Sequence, residues 1–199
     1  KILGLGTGST VDCLIELLPT LPFKIKGIAS SSERTSKQVE ALGIPIVDLA
    51  DITTIDTYID GADEINHNLA MIKGGGGALT REKIVAAHAT RFVCIADESK
   101  LVEVLGEFPL PIEVIPMSAH YVIRKMEQMG AKAQIREGFI TDNQNLIVDV
   151  KGLKITSPIQ LEASINQITG VVTNGLFAAR GADVLLMADK DLNIKTMTK

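Results

Sequence analysis

The stretch "ILGLGTGSTVDCLIELL", residues 2–18, sets a short apolar run, a glycine turn and an amphipathic segment in succession. "ILGL" at 2–5 suits a strand buried on both faces, and Ser9 to Leu18 suits the helix that follows it. The alternation continues outward from there. "KIKGIA" at 24–29 precedes a helical candidate from Glu33 to Leu42, ended by Gly43. "IPIV" at 44–47, "TYID" at 57–60 and "FVCIA" at 92–96 read as further strands, with a helix from Thr80 to about Thr90 before the last of them. A repeated strand–helix order predicts a Rossmann-like parallel sheet and the α/β class.

From Phe108 the pattern changes. Strand "IEVI", helix "SAHYVIRKMEQM", strand "KAQIRE", turn "TDNQN", strand "LIVDV", helix "PIQLEASINQI" and strand "GVVTNGLF" follow one another. That β-α-β-β-α-β order predicts a smaller α+β domain of ferredoxin-like plan. "FPLPIEVIP", with three prolines in nine residues, marks the boundary, and "DVLLMA" and "IKTM" are placed back in the first sheet. The expected domains are therefore 1–107 plus 178–199, and 108–177.

Composition narrows the function classes. The chain has 199 residues, is 46% hydrophobic and carries a net charge of −4, so it can bury a core yet lacks the basic face of a nucleic-acid binder. No apolar run reaches the 18 or so residues of a membrane span. Cys13 and Cys94 form neither a CxxC pair nor a metal-ligand spacing, which fits buried thiols in a reducing, cytoplasmic compartment. Lys1 leads directly into the first apolar run with no methionine before it, so a missing upstream segment is expected.

Ligands of an open parallel sheet bind beyond the carboxyl ends of its strands, which directs attention to the segments that follow each strand. "GLGTGST" departs from GxGxxG because Ser9 stands where the third glycine belongs, and "IASSS" replaces the acidic ribose ligand. A dinucleotide site is disfavoured, and no Walker loop exists. Two readings of the turn stay open: a phosphate or sugar cradle built from backbone amides with Thr7, Gly8, Ser9 and Thr10, or a tight turn with Ser9 or Thr10 as helix cap. "DGADE" sets Asp60, Asp63 and Glu64 within five residues. Held in a cleft, such carboxylates raise a pKa, bind a cation or need a lysine; on a surface they are a solvated turn about Gly61. His67, His88 and His120 stand singly and add no metal ligand.

"KGGGGALTREKI", residues 73–84, holds four consecutive glycines. Each costs roughly 0.5–1 kcal/mol relative to alanine in a helix or strand, so the run needs a reason beyond scaffolding. Without Cβ atoms the backbone approaches a ligand closely and presents N–H groups, while Lys73 and Glu82 flank it. Thr80 is the expected cap of the next helix. Glu82 then sits in the first turn, where an acidic residue also gains about 0.3–1 kcal/mol from the helix dipole without any catalytic role.

Taken in order, "GLGTGST", "SSSERT", "DGADEI", "KGGGGALTREKI", "ADESK", "PLPIEVIP" and "GLFAARGADV" resemble ribose-5-phosphate isomerase of the A type over nearly the whole chain. The resemblance implies interconversion of D-ribose 5-phosphate and D-ribulose 5-phosphate in the non-oxidative pentose phosphate pathway. It also implies no metal or organic cofactor, and a homodimer or homotetramer. By motif, Glu82 corresponds to the general base. Lys73, Gly74, Gly75 and Gly76 match the substrate loop, and Asp60, Gly61, Ala62 and Asp63 match the "DGAD" contacts. Thr7 to Thr10 match "TGST", and Lys100 matches the lysine of "ADxSK". The family's helix before the first strand, with a lysine implied in phosphate binding, is not in this sequence.

An aldose–ketose exchange needs a base to move a proton between adjacent carbons and a cation to hold the enediolate oxygen. The resemblance assigns these to Glu82 and Lys73, with Asp60 and Asp63 assisting ring opening and fixing hydroxyls. Burial and the two aspartates are expected to raise Glu82 from about 4.3 toward roughly 6 to 7. Two rivals are weighed: a sugar-phosphate sensor, which binds without turnover, and a magnesium-dependent phosphate enzyme built on "DGADE". No appended DNA-reading segment favours the sensor.

Overall fold

The computed structural model describes residues 1–199. In chain order the strands are β1 (Ile2–Leu5), β2 (Gly27–Ser30), β3 (Ile55–Asp60), β4 (Glu64–Asn66), β5 (Met71–Ile72), β6 (Ala89–Asp97) and β7 (Leu101–Val102). They continue with β8 (Leu110–Val114), β9 (Lys132–Ile135), β10 (Leu146–Lys151), β11 (Val171–Asn174), β12 (Leu176–Phe177), β13 (Val184–Ala188) and β14 (Ile194–Thr198). The helices are α1 (Ser9–Leu17), α2 (Glu33–Ala41), α3 (Leu79–His88), α4 (Ala119–Gln128) and α5 (Pro158–Asn166).

Two compact units divide the chain: Lys1–Gly61, Arg81–Glu98 and Ala182–Lys199 form the first, Ala62–Thr80 and Ser99–Gly181 the second. In the first, six strands run in the order β14-β13-β6-β3-β1-β2. All neighbours are parallel except the β13–β14 hairpin. Leu3, Leu5, Val11, Ile15, Leu18, Ile28 and Val39 make one buried core of this unit. Apolar strand residues and the 3.6-residue period of α1 and α2 meet there. "DVLLMA" and "IKTM" do join this sheet, as β13 and β14.

"IPIV" forms no strand. Its contact with the sheet is a bridge from Ile46 to Ile28 beside β2, because Pro45 supplies a carbonyl to Ile28 N–H at 2.9 Å but has no N–H of its own to extend a ladder.

The second unit holds two sheets. One has the order β11-β8-β10-β9, every pair antiparallel, which is the ferredoxin-like arrangement of the β-α-β-β-α-β segment. Ile112, Val114, Val122, Met126, Val148, Val150 and Ile165 lie in its core. The other sheet, β12-β5-β4-β7, is built from short strands. The sequence pattern does not show it, because strands of two or three residues have no period to read. Residues 62–80, 99–107 and 178–181, expected in the first domain, belong to this unit. The run "GVVTNGLF" accordingly breaks at Gly175 into β11 and β12, which serve different sheets.

Candidate active site

In the first unit the strand order reverses at β1, which lies between β2 and β3. Such a switch point leaves a crevice beyond the carboxyl ends of the flanking strands, and here those ends are Leu5–Thr7 and Asp60–Gly61. Gly6 N–H donates to the Ile59 carbonyl at 2.9 Å, extending the β1–β3 ladder to the rim. Beside it the Asp60 side chain is fully buried. A Cβ on Gly6 would stand 1.8 Å from Asp60 Cγ, so only glycine fits at that position.

Tyr58 and Gly61 are among the partners of the Asp60 carboxylate. Tyr58, also fully buried, donates its phenolic O–H to Oδ2, and Gly61 N–H donates to Oδ1 at 2.7 Å. Burial pushes the Tyr58 phenol well above the ordinary tyrosine range, and the nearby carboxylates of Asp60 and Glu82 push it further. Glu82, in the first turn of α3, is itself buried, at 3% exposure. Two carboxylates and a phenol are thus gathered in a buried, water-poor environment.

The surrounding turns are braced by short polar side chains. Ser32 caps α2 by accepting Thr35 N–H at 3.1 Å, and its hydroxyl donates to Thr7 Oγ1 at 3.0 Å. Thr35 Oγ1 donates to the Gly6 carbonyl at 2.8 Å. Arg81 pairs with Glu33 at 2.7 Å, tying the start of α3 to that of α2 and holding the Glu33 carboxyl below its usual range. Helix α1 begins at Ser9 with Gly8 as N-cap and no side-chain cap. The Ser9 or Thr10 cap is therefore not formed; both side chains are exposed, and Thr7 and Gly8 are half-buried.

In the second unit the glycine run is a defined turn. Gly77 N–H donates to Gly74 O at 2.9 Å, with φ of 99° at Gly74 and 79° at Gly77, values that glycine adopts without strain. Asp63 Oδ2 accepts Gly75 N–H at 2.8 Å. The Arg136 guanidinium donates to Gly75 O at 3.0 Å and to Gly74 O at 3.3 Å, and pairs through both edges with Asp149 at 2.7 and 2.8 Å. Lys73 is 3% exposed, its N–H bonded to Gly175 O at 2.9 Å and its ammonium 5.5 Å from the Phe177 ring centroid. Gly76 is exposed, while Ala62 and Lys100 are half-buried.

Several local expectations change. The "DGADE" carboxylates have separate partners: Asp60 is held as above, Asp63 holds the glycine turn, and buried Glu64 accepts the N–H groups of Gly106 at 2.8 Å and Phe108 at 2.5 Å. No group of three His, Cys, Asp or Glu side chains is arranged as a metal cage. Thr80 lies inside α3, which starts at Leu79, and its hydroxyl is donated to buried Glu113. Tyr58, Gly6, Ser32 and Arg136 are absent from the sequence-based site. Tyr58 was within reach of pattern reasoning, since it lies two residues before Asp60 and so on the same face of β3.

A parallel sheet with buried acid groups at its switch point, joined to a ferredoxin-like unit, has the make-up of an α/β enzyme acting on a small molecule. Comparison with known proteins gives the particular family. The family model for ribose 5-phosphate isomerase A (phosphoriboisomerase A) matches residues 27–192. Ribose 5-phosphate isomerase A from Neisseria gonorrhoeae is 47% identical, with a TM-score of 0.96 over 99% of this chain and 88% of that one. The enzyme from Methanocaldococcus jannaschii is 41% identical, TM-score 0.92, over 100% and 91%. A D-ribose-5-phosphate isomerase in complex with phospho-erythronic acid is 37% identical, TM-score 0.93, over 100% and 90%. The chain belongs to the ribose 5-phosphate isomerase A family, and it isomerises ribose 5-phosphate to ribulose 5-phosphate.

Proposed function

We propose that Glu82 is the base of this isomerisation. In the open-chain aldose it takes the proton from C2; the C–H electrons form the C1–C2 double bond and the carbonyl oxygen on C1 becomes the enediolate oxygen. The proton returns to C1, the oxygen on C2 becomes the carbonyl, and its hydroxyl proton passes to the oxygen on C1, so no oxidant or reductant is needed. The observation that carries this role is the burial of Glu82 beside the Tyr58–Asp60 pair.

Lys73 stabilises the enediolate oxygen. A buried cation acts there without waiting for solvent to reorganise. Asp60 and Asp63 take part in ring opening and hold sugar hydroxyls, with Gly61, Ala62 and Gly74–Gly76 as further substrate contacts. Thr7–Thr10 and Lys100 bind the phosphate and hydroxyl groups; the uncapped start of α1 offers amides suited to an anion. The relative bound to phospho-erythronic acid supports this reading, since a carboxylate places two oxygens much as an enediolate does.

Glu82→Gln keeps the shape and removes the base. With ribose 5-phosphate in excess EDTA, ketose formation is expected to fall about 10²- to 10⁴-fold; full turnover would remove Glu82 from the mechanism. Chelator-resistant activity in the unaltered chain is expected as well. The assembly we infer is a homodimer or homotetramer, in keeping with exposed Ile115, Met117 and Val172. A cytoplasmic setting is inferred from the free thiols, of which Cys94 is buried as expected while Cys13 is exposed; no helix is long and apolar enough to cross a membrane.

A further inference from the structure

Tyr58 is costly to keep as a tyrosine. Its ring packs at 4.8 Å and 43° on Phe92, its register partner on β6, in the fully buried interior of the sheet. A phenylalanine would fill the same space without burying a hydroxyl, and a buried phenol must find a partner. The partner here is Asp60, two residues on along the same strand face. The carboxylate receiving that hydrogen bond is pinned from two further directions, by Gly61 N–H at 2.7 Å and by the bare Gly6 backbone pressed against it. Its rotation about the Cβ–Cγ bond is therefore fixed by contacts that packing alone does not require.

We propose that Tyr58 is a positioning residue for the isomerisation, its O–H fixing the Asp60 carboxylate in a single orientation at the carboxyl end of β3. The inference rests on the role given above to Asp60. Three groups act on the phenol: Asp60 from its own strand, Glu82 from α3 and Ser31 from the segment after β2. Burial and both carboxyl groups act to raise the phenol's hold on its proton, so it remains a donor.

The test is a double-mutant cycle on ribose 5-phosphate turnover with Tyr58→Phe, Asp60→Asn and the pair together. Misplacement by about 1 Å can cost on the order of 10²-fold, so Tyr58→Phe is expected to lower kcat about ten- to a hundredfold, with little change in KM. In the Asp60→Asn background it is expected to cost almost nothing more. A normal kcat for Asp60→Asn overturns the role of Asp60 itself. If Asp60→Asn is impaired while Tyr58→Phe turns over normally, or if the two losses multiply, the positioning role alone is overturned.

A second measurement covers a Tyr58→Phe chain that does not fold. The chain has two tyrosines, and the other, Tyr121, is exposed, so Tyr121→Phe grown on 3-fluorotyrosine carries fluorine at position 58 alone. Its fluorine resonance is expected to move when phospho-erythronic acid saturates the protein. A resonance that stays in place overturns the proposal.

Discussion

Asp63 accepts the N–H of Gly75 at 2.8 Å, and a Cβ on Gly75 would lie 2.7 Å from the same carboxylate. One residue therefore supplies the hydrogen bond that shapes the glycine turn and the surface that forbids a side chain there. Gly75→Ala must push Asp63 away or open the turn. Loss of isomerase turnover is expected, with a stability cost of about 1–3 kcal/mol for the overpacking. Steady-state assays paired with thermal unfolding measure both, and an active, equally stable alanine variant would show the turn to be adaptable.

The opposite side of the turn is held by Arg136. Its fork takes both oxygens of Asp149 and two glycine carbonyls, and the side chains of the pair are only 19% and 17% exposed. Arg136→Met keeps the stem but leaves Asp149 and the carbonyls without their donor. Because the pair is only partly shielded, its loss is expected to cost about 1–3 kcal/mol, between the surface and fully buried limits, with KM raised. Arg136→Lys is expected to recover only part of this, since an ammonium cannot span the carboxylate as a planar fork does. Urea midpoints and KM values for the two variants decide it.

The parts of this architecture that could be read from sequence are those with a period. The apolar run "ILGL" followed by the amphipathic α1 gave the parallel sheet, and the order of strands and helices after Phe108 gave the ferredoxin-like unit. The small sheet of β4, β5, β7 and β12 was not legible, because pairing of such short strands is decided by tertiary contacts. Motifs point to Lys73, Glu82 and the aspartates as candidates, since glycines and charges stand out in a line of text. Arg136 lies 61 residues from Gly75, and nothing near it in the sequence signals that its donors are used on a distant turn. Gly6 looks in the sequence like one of several turn glycines, whereas its constraint is the side chain of Asp60.

That constraint predicts a sharp effect from a single methyl group. In Gly6→Ala the new Cβ would overlap the Asp60 carboxylate, and the carboxylate cannot swing aside without leaving Tyr58 and Gly61. Turnover is expected to fall by on the order of 10²-fold, with the parallel sheet kept, as far-ultraviolet circular dichroism would report. A fully active Gly6→Ala would mean that Asp60 does not need its observed position.

Alkaline pH probes the same cluster from the side of the phenol. An unfolded tyrosine ionises near pH 10, while burial and the carboxylates of Asp60 and Glu82 hold Tyr58 well above that. Above about pH 10 the unfolded chain therefore gives up a proton that the folded chain retains, and the slope of stability with pH is negative. The contribution is fully present below the unfolded pKa and is lost as pH rises through the folded one. Tyr58→Phe lacks this group, so its stability is expected to fall less steeply from pH 10 to 11 than that of the unaltered chain. Phenolate absorbance offers a direct check, because the chain has no tryptophan and only two tyrosines. The Tyr58 share of the absorbance change is expected only beyond the ordinary phenol range or on unfolding, and its appearance near pH 10 in the folded protein would contradict the buried, acid-flanked environment.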